Sequence, residues 1–171
     1  MDVEKAIKSR RSIRSFLDRD IPADAVEKLI EALRWAPSAG NLQARKFYFI
    51  FDQELREMLA VAAFGQMFIS APPLVVVACA DHERIGHYGK RGRELYAIQD
   101  VAVAVENLML QACELGLGTV WVGAFNEEQV AKVLKLPNHL RPEGIIPVGY
   151  PAQQPIAPKR LGREEIVEIV G

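Results

Sequence analysis

The stretch from Leu95 to Phe125 constrains the fold of this chain more than any other. Between Val101 and Cys113 only Glu106, Asn107 and Gln111 are polar. A helix that is apolar on nearly all sides is buried on most of them. About twenty residues at ~1.5 Å each span about 30 Å, which is roughly the width of a small domain. We therefore expect one long, buried central helix that crosses the whole molecule.

A glycine turn and a short apolar strand follow this helix. Gly116 and Gly118 let the chain reverse, and Thr119 to Val122 are all strand-forming residues. Gly123 and Ala124 then carry almost no side chain. Two interpretations are open on local chemistry: a simple helix-to-strand connection, or a strand end whose bare backbone lies against a planar ligand and offers its N–H groups.

Composition limits the class of protein. The 171 residues suggest a single domain, 1–171. With 21 basic and 22 acidic residues, the chain lacks the basic surplus that a nucleic-acid partner requires. The central helix is too polar and too short to span a bilayer, and no signal peptide is recognisable. Both cysteines lie in apolar runs, as in a reducing compartment, so we expect a cytoplasmic protein without a membrane partner.

A basic cluster, Arg10-Arg11-Ser12-Ile13-Arg14, follows a short helix that starts near Asp2. One interpretation is that these cations complement the dipole at the helix C-terminus, which is worth some tenths of a kcal/mol. The other is an anion site, in which each charge-assisted hydrogen bond contributes about 1.5–3 kcal/mol. A phosphate group suits such a site.

A polar loop follows the amphipathic helix predicted from Ala23 to Trp35. It contains Pro37, Ser38, Asn41 and Gln43. Amide side chains both donate and accept hydrogen bonds, so they suit a ligand with mixed ring heteroatoms. The alternative is a turn whose polar tips face solvent.

Three apolar runs predict strands, at 47–51, 74–79 and 144–150. Pro147 lies within the last of them and predicts an edge or a bulged position. Helices are expected to begin at Asp52 and at Asn126, because both residues are good N-caps. We expect residues 81–93 to form a surface excursion.

Sites that use a metal or a nucleophile find little support. His82 and His87 are five residues apart and His139 is isolated, which does not match the spacing of zinc ligands. No glycine–serine–glycine nucleophile elbow occurs, and no phosphate-binding loop lies between a strand and a helix. We therefore expect no metal, and neither hydrolase nor NTPase activity.

Four segments in this order resemble the nitroreductase family of flavin enzymes: KSRRSIRSF, APSAGNLQ, IQDVAVAVENLMLQACELGLGTVWVGAF and IIPVGYP…PKRL. The resemblance implies an α+β fold with a central, mostly antiparallel sheet flanked by helices. It also implies a homodimer with FMN at the subunit interface. NADH or NADPH would be the reductant, and a nitroaromatic, a quinone or a related small molecule would be the acceptor.

The resemblance also implies which residues bind FMN. Those at the phosphate would be Arg10, Ser12 and Arg160, with Lys159 nearby and Arg11 packing alongside through its backbone. The residues at the ring would be Arg14 beside N1 and the C2 carbonyl, Val122, Gly123 and Ala124 with backbone N–H groups at the N5 and O4 edge, and Gln66. The loop that closes on the flavin from the other subunit would supply Pro37, Ser38 and Asn41, with Gln43 near it.

The chain departs from the family pattern at several positions. Ala44-Arg45 stands where Pro-Trp is common, Pro158 where a cation is common, and Gly162 where a proline is common.

The implied mechanism is ping-pong hydride transfer without an obligate side-chain acid or base. The alternatives are a specialised flavin enzyme on the same scaffold (a dehalogenase or a flavin-fragmenting enzyme), a flavin-binding module without turnover, and a small nucleic-acid or interaction module that uses the basic cluster.

Overall fold

An antiparallel sheet of four strands forms the centre of the molecule, in the order β1-β2-β4-β3. The computed structural model describes residues 2–171, and Met1, where the predicted domain begins, lies outside them. The strands are β1 Arg45–Ile50, β2 Leu74–Asp81, β3 Gly118–Thr119 and β4 Leu140–Gly149.

Within residues 2–171, seven α-helical segments lie around the sheet. They are α1 Val3–Ser9, α2 Ala23–Arg34, α3 Gln53–Ala62, α4 Gly89–Arg91, α5 Ala97–Glu114, α6 Glu127–Leu134 and α7 Arg163–Ile166. The predicted helix starts are confirmed at Asp52, whose side chain accepts a hydrogen bond from the Leu55 N–H at 2.9 Å, and at Asn126, which accepts from the Gln129 N–H at 2.9 Å. Such caps satisfy backbone donors that have no partner inside the helix.

The predicted central helix is α5, which runs for 18 residues after a π-helical turn at Gly92–Tyr96. One side of it packs on the sheet and on α2. The opposite face stays open in the single chain, since Val103 is 41% exposed and Ala102 and Glu106 are also exposed. Within residues 2–171 no helix combines the length and apolar character needed to cross a bilayer.

The sheet has a hydrophobic core on each face. Val76 and Ala78 of β2 point into the core shared with α2 and α5, whereas Val75, Val77 and Cys79 point into the core shared with α3 and α6. The continuous apolar run of β2 follows from this two-sided burial, as predicted. Burial raises the pKa of the Cys79 thiol to about 12, so Cys79 behaves as a small hydrophobe.

The prediction that Pro147 marks an edge or a bulged position was wrong. The strand β4 lies between β2 and β3, and the bulge in its pairing with β2 falls at Glu143. Ile145 exchanges both backbone hydrogen bonds with Val122, so its N–H points toward the β3 side of the sheet. N–H directions alternate along a strand, so the missing N–H of Pro147 faces the same side. That position falls in the gap between the Val122 bridge and the β3 pairs at Val148 and Gly149. The sheet therefore loses no hydrogen bond to the proline.

Candidate functional site

The basic segment near the N-terminus lies alongside the strand that follows α5. The Ile13 N–H donates to the Thr119 carbonyl at 2.9 Å, and Ser12 pairs with Thr119 as in a parallel sheet. Ile13 is buried against Gly118, where an added Cβ would lie only 2.7 Å from Ile13 Cγ1. Two segments that are about a hundred residues apart in the sequence thus become neighbours.

A cavity of about 440 Å³ opens beside this contact. Arg10 and Arg11 line it together with Gly118, Thr119 and the segment Gln153–Pro155. The proline-rich C-terminal segment therefore passes the basic cluster, as the implied phosphate site requires. Lys159 and Arg160 lie further along, outside the cavity lining; both are exposed, and neither forms an ion pair with any residue from 2 to 171.

Arg10 and Arg11 have different local roles. Arg11 Nη1 donates to the Lys8 and Arg10 carbonyls, both at 2.8 Å, so it satisfies the end of α1 as the helix-terminus interpretation predicts. Arg10 Nε lies 3.9 Å from Glu106 Oε1, which is too long for a hydrogen bond. The Arg10 guanidinium therefore keeps its donors available for an anion.

Arg14 is exposed beside the segment that contains Gln66. Its guanidinium carbon lies 5.9 Å from the Phe68 ring centroid, at the outer limit of a cation–π contact, and it forms no salt bridge within the described chain. Gln66 Nε2 donates to the Ala63 carbonyl at 2.9 Å and to the Ala124 carbonyl at 3.0 Å. The amide nitrogen of Gln66 thus holds the strand end in place, and only its oxygen remains for a ligand.

The strand end offers two free N–H groups rather than the three that the resemblance implied. The Val122 N–H donates to the Ile145 carbonyl at 2.9 Å, so it is used within the sheet and cannot face a ligand. Gly123 and Ala124 are exposed, and their N–H groups have no acceptor among residues 2–171. These two groups are the ones that can bind a planar, acceptor-bearing ligand.

The loop after α2 has a strained backbone. Ser38 Oγ accepts from the Gln43 N–H at 3.0 Å and closes the loop. Gly40, Asn41 and Gln43 have φ values of 54°, 56° and 52°, and a positive φ costs a non-glycine residue about 1–2 kcal/mol. Gln43 Nε2 lies 3.4 Å from two oxygens of Asn41, which leaves both amide side chains only weakly engaged.

Two buried charged residues that sequence reasoning missed hold this loop. Arg45 is 7% exposed and donates to the Pro37 carbonyl at 2.9 Å. Asp100 is 4% exposed, and its Oδ1 accepts from the Ala39 N–H at 2.9 Å. Burial lowers the pKa of Arg45 while the nearby Asp100 carboxylate opposes that shift. The sequence did contain a signal for Asp100: it lies on the same face of the helix as the apolar residues Ala97, Val101 and Ala104, which indicates a buried acid.

The excursion at 81–93 packs on the outside of the same loop. A Cβ added at Gly40 would lie 2.5 Å from the Tyr88 hydroxyl, and the φ of 54° at Gly40 also favours glycine there. Arg84 Nη1 donates to the Gln43 carbonyl at 3.2 Å.

In the part of the chain that the structure describes, no three His, Cys, Asp or Glu side chains are placed to hold a metal ion.

The loop and the basic cluster lie at opposite ends of α5. Asp100, which holds the loop, is near the start of the helix, whereas Cys113, which lines the cavity beside Arg10, is near its end. They are thirteen positions apart along the helix, which corresponds to about 20 Å at ~1.5 Å per residue. One chain therefore does not bring the amide loop and the arginines to a single place.

Comparison with known proteins identifies one family. The sequence profile described as "Nitroreductase family" matches residues 7–82 and 65–150. A protein of Archaeoglobus fulgidus, provisionally named an NADH dehydrogenase/NAD(P)H nitroreductase, is 35% identical over 174 residues, covering 94% of this chain and 97% of the relative. An "FMN reductase [NAD(P)H]" of Bacillus subtilis is 30% identical, covering 96% of this chain and 72% of the relative.

Solved structures agree with the sequence comparison. The crystal structure of nitroreductase A from Vibrio parahaemolyticus superposes with a TM-score of 0.91 at 27% identity. The superposition covers 99% of this chain and 76% of the other. The α+β fold with its antiparallel sheet and long central helix is thus the fold found in that enzyme.

Proposed function

Because the chain belongs to the nitroreductase family, we propose that it is an FMN-dependent oxidoreductase that uses NADH or NADPH to reduce small acceptors such as nitroaromatics and quinones. The name of the B. subtilis relative, an FMN reductase, supports FMN as the flavin. NADH or NADPH as the reductant is supported by the name of the A. fulgidus relative, and a nitro compound as the acceptor by the names of both nitroreductases. Quinones are proposed from the family resemblance of the sequence. We further propose that residues 1–171 form one FMN-binding domain.

The observation that carries this proposal is the contact between the basic segment and β3. The hydrogen bond from Ile13 to Thr119 sets Arg10 and Ser12 beside the glycine turn, and it sets Arg14 on the side of Phe68 and Gln66. Gln66 in turn holds Ala124. These contacts connect the residues that we propose to bind the phosphate with the strand end that carries the free N–H groups.

The residues present fit a phosphorylated flavin. Arg10 and Ser12 would bind the phosphate, and the C-terminal segment that passes them would bring Lys159 and Arg160 to the same group. The free N–H groups of Gly123 and Ala124 would donate to the N5 and O4 edge of the ring. The free donors at the strand end support this assignment, since exposed backbone N–H groups suit the acceptor atoms of a planar ring, and Arg14 has no ion-pair partner in residues 2–171.

Bound FMN would supply the redox chemistry, taking a hydride from the nicotinamide and passing reducing equivalents to the acceptor. The task of the protein is to bind, orient and tune. Arg14 would stabilise the negative charge that reduction places on the N1 edge of the ring. Gly123 and Ala124 would fix the ring edge through their N–H groups. No side chain at the site is required as an acid or a base.

We also propose that two copies form the site. The loop that contains Ser38 and the Arg10 cavity are about 20 Å apart along α5, and an antiparallel pairing of two α5 helices would bring the loop of one copy toward the cavity of the other. The open face of α5 around Val103 provides the contact surface. The C-terminal tail supports the same arrangement, because Ile156, Ile169 and Val170 are 93%, 76% and 89% exposed.

The test is turnover by the purified protein. We expect a yellow protein that oxidises NADH or NADPH in the presence of a quinone or a nitrofuran, with parallel double-reciprocal lines when the two substrates are varied. A yellow protein that consumes neither nicotinamide with any acceptor would be a flavin-binding module without turnover. A colourless protein that does not take up FMN would contradict the proposed function altogether.

A further inference from the structure

Arg45 at the start of β1 replaces a hydrogen bond that the sequence of α2 cannot make. The Leu33 carbonyl lies in the last turn of that helix, and the residue four positions later, Pro37, has no N–H. Arg45 Nη2 donates instead to the Leu33 carbonyl at 3.3 Å and to the Ala36 carbonyl at 2.6 Å. The buried Arg45 guanidinium therefore caps the C-terminus of α2.

The same guanidinium reaches the loop and the central helix. Arg45 Nη1 donates to the Pro37 carbonyl at 2.9 Å and to the Asp100 carbonyl at 3.1 Å. The Asp100 side chain accepts from the Ala39 N–H at 2.9 Å. Ser38 thus lies between two backbone groups, Pro37 O and Ala39 N, that are each held by one member of a buried pair of opposite charge.

The side chains of Arg45 and Asp100 form no ion pair with each other in residues 2–171; each instead hydrogen-bonds a backbone group of the loop, Arg45 the Pro37 carbonyl and Asp100 the Ala39 N–H. The loop that the pair holds has positive φ at Gly40, Asn41 and Gln43. Backbone strain persists only where surrounding contacts over-determine the conformation, and such sites cluster where ligands bind. Arg45 and Asp100 supply such contacts, to the Pro37 carbonyl and to the Ala39 N–H.

We propose that Arg45 and Asp100 are positioning residues that hold the loop from Pro37 to Gln43 in its flavin-binding conformation. This inference rests on the proposed function. Neither side chain reaches the ligand: Arg45 acts through the Pro37 carbonyl and Asp100 acts through the Ala39 N–H. Their effect on flavin binding is therefore indirect.

The test compares Arg45→Met with a matched control, Arg56→Met. Arg56 is also buried, at 8% exposed, and its guanidinium also donates to backbone carbonyls, those of Ser70 and Pro72. FMN affinity is measured by fluorescence titration of the apoprotein, and stability by the urea midpoint of the same samples. We expect Arg45→Met to weaken FMN binding by about tenfold or more, since small displacements of ligand-positioning groups have large effects. We expect Arg56→Met to lower the urea midpoint while leaving FMN affinity within about twofold.

Two conservative variants keep the test sharp if Arg45→Met does not fold. Asp100→Asn keeps an oxygen that can accept from Ala39 but removes the charge, and Arg45→Lys keeps the charge but loses the planar fork. We expect both to weaken FMN binding, Arg45→Lys less than Arg45→Met. Both should alter the visible circular dichroism of the bound flavin, which reports on the surroundings of the ring. Amide hydrogen exchange at 38–43 should rise in both, without a rise elsewhere.

The outcomes are distinguishable. The inference is overturned if the Arg45 and Asp100 variants keep wild-type affinity and an unchanged flavin spectrum. It is also overturned if the Arg56 control loses as much affinity for the same loss of stability. A wild-type protein that binds no FMN overturns the proposed function together with this inference, whereas a yellow wild type with unaffected variants overturns this inference only.

Discussion

Arginine shows how far surroundings decide what one residue type does in this chain. Arg11 donates to carbonyls at the end of α1, the buried Arg45 donates to carbonyls at the end of α2, and Arg14 is exposed without an ion-pair partner in residues 2–171. The sequence predicted a basic cluster but could not separate its members. The partners of Arg45, such as Leu33 and Asp100, are 12 and 55 positions away, so no local pattern identifies them.

Arg14 is predicted to set the redox potential of the bound flavin. Replacing it with alanine removes a positive charge from the N1 edge, so the flavin should become harder to reduce. We expect the midpoint potential to fall by on the order of 30 mV, which corresponds to about 1.4 kcal/mol for a two-electron couple. Potentiometric titration of the holoprotein measures the shift.

A matched control for this variant is Arg19→Ala. Arg19 is also exposed, and its guanidinium carbon lies 3.9 Å from the Tyr150 ring centroid. Because Arg19 lies outside the proposed flavin contacts, its removal should leave the midpoint potential unchanged. Equal potentials in wild type and Arg14→Ala would defeat the role assigned to Arg14.

At the scale of elements, features that depend on neighbouring residues were predicted correctly, whereas the order of strands in the sheet was not. The caps at Asp52 and Asn126 and the long apolar helix depend on nearby residues, and the structure confirms them. The edge position predicted from Pro147 failed because strand order depends on residues far away in the sequence. The docking of residues 10–14 on β3 is of the same long-range kind and was not predicted.

Gly118 is predicted to be required for that docking. An added Cβ would lie 2.7–3.0 Å from three atoms of Ile13, so Gly118→Ala should displace the basic segment. We expect a loss of about 1–3 kcal/mol in the free energy of unfolding, together with weaker FMN binding. Gly123→Ala is the stability control, because its Cβ would make only ordinary contacts of 3.6 and 3.8 Å with Trp121. Equal urea midpoints for the two variants would contradict this account of the docking.

The contact between α6 and β4 is predicted to depend on pH. Arg141 donates two hydrogen bonds to Glu127, at 2.8 and 3.0 Å, and these lower the pKa of Glu127 below its ordinary value of 4.5. The pair therefore adds stability above about pH 4.5, and that contribution is lost as the pH falls through the lowered pKa. Glu127→Gln should cost about 0.5 kcal/mol at pH 7, as expected for a partly exposed pair.

Urea unfolding as a function of pH checks this prediction. The difference between wild type and Glu127→Gln should shrink in acid and vanish below the lowered pKa. Glu128→Gln is the control, because Glu128 occupies the same first turn of α6 but forms no ion pair with any residue from 2 to 171. A difference that persists unchanged at pH 3 would show that the ion pair is not its cause.

At the scale of the whole molecule, one chain keeps the parts of the proposed flavin site apart. Its amide loop and its arginine cavity lie at opposite ends of α5, and its C-terminal tail exposes apolar side chains. The sequence could predict each part, because each has its own composition, but not the separation between them. That separation follows from the length of α5 and is what makes a second copy necessary in our account.

Val103 is predicted to support the pairing of two copies. Val103→Asp places a charge on the open face of α5, so it should shift sedimentation toward the single chain and release FMN at the same time. Met58→Asp is the control, because Met58 is 50% exposed on α3, away from that face. A Val103→Asp protein that stays dimeric, or that becomes monomeric and keeps its flavin, would disagree with a shared site.

The most direct test of the central claim is the mass and flavin content of the purified protein, measured together by analytical ultracentrifugation at the flavin absorbance. We predict one FMN per chain in a species of twice the 19.0 kDa chain mass. A flavin-loaded species with the mass of one chain, or a dimer that sediments without flavin after incubation with FMN, would contradict the claim that two copies of this chain bind FMN between them.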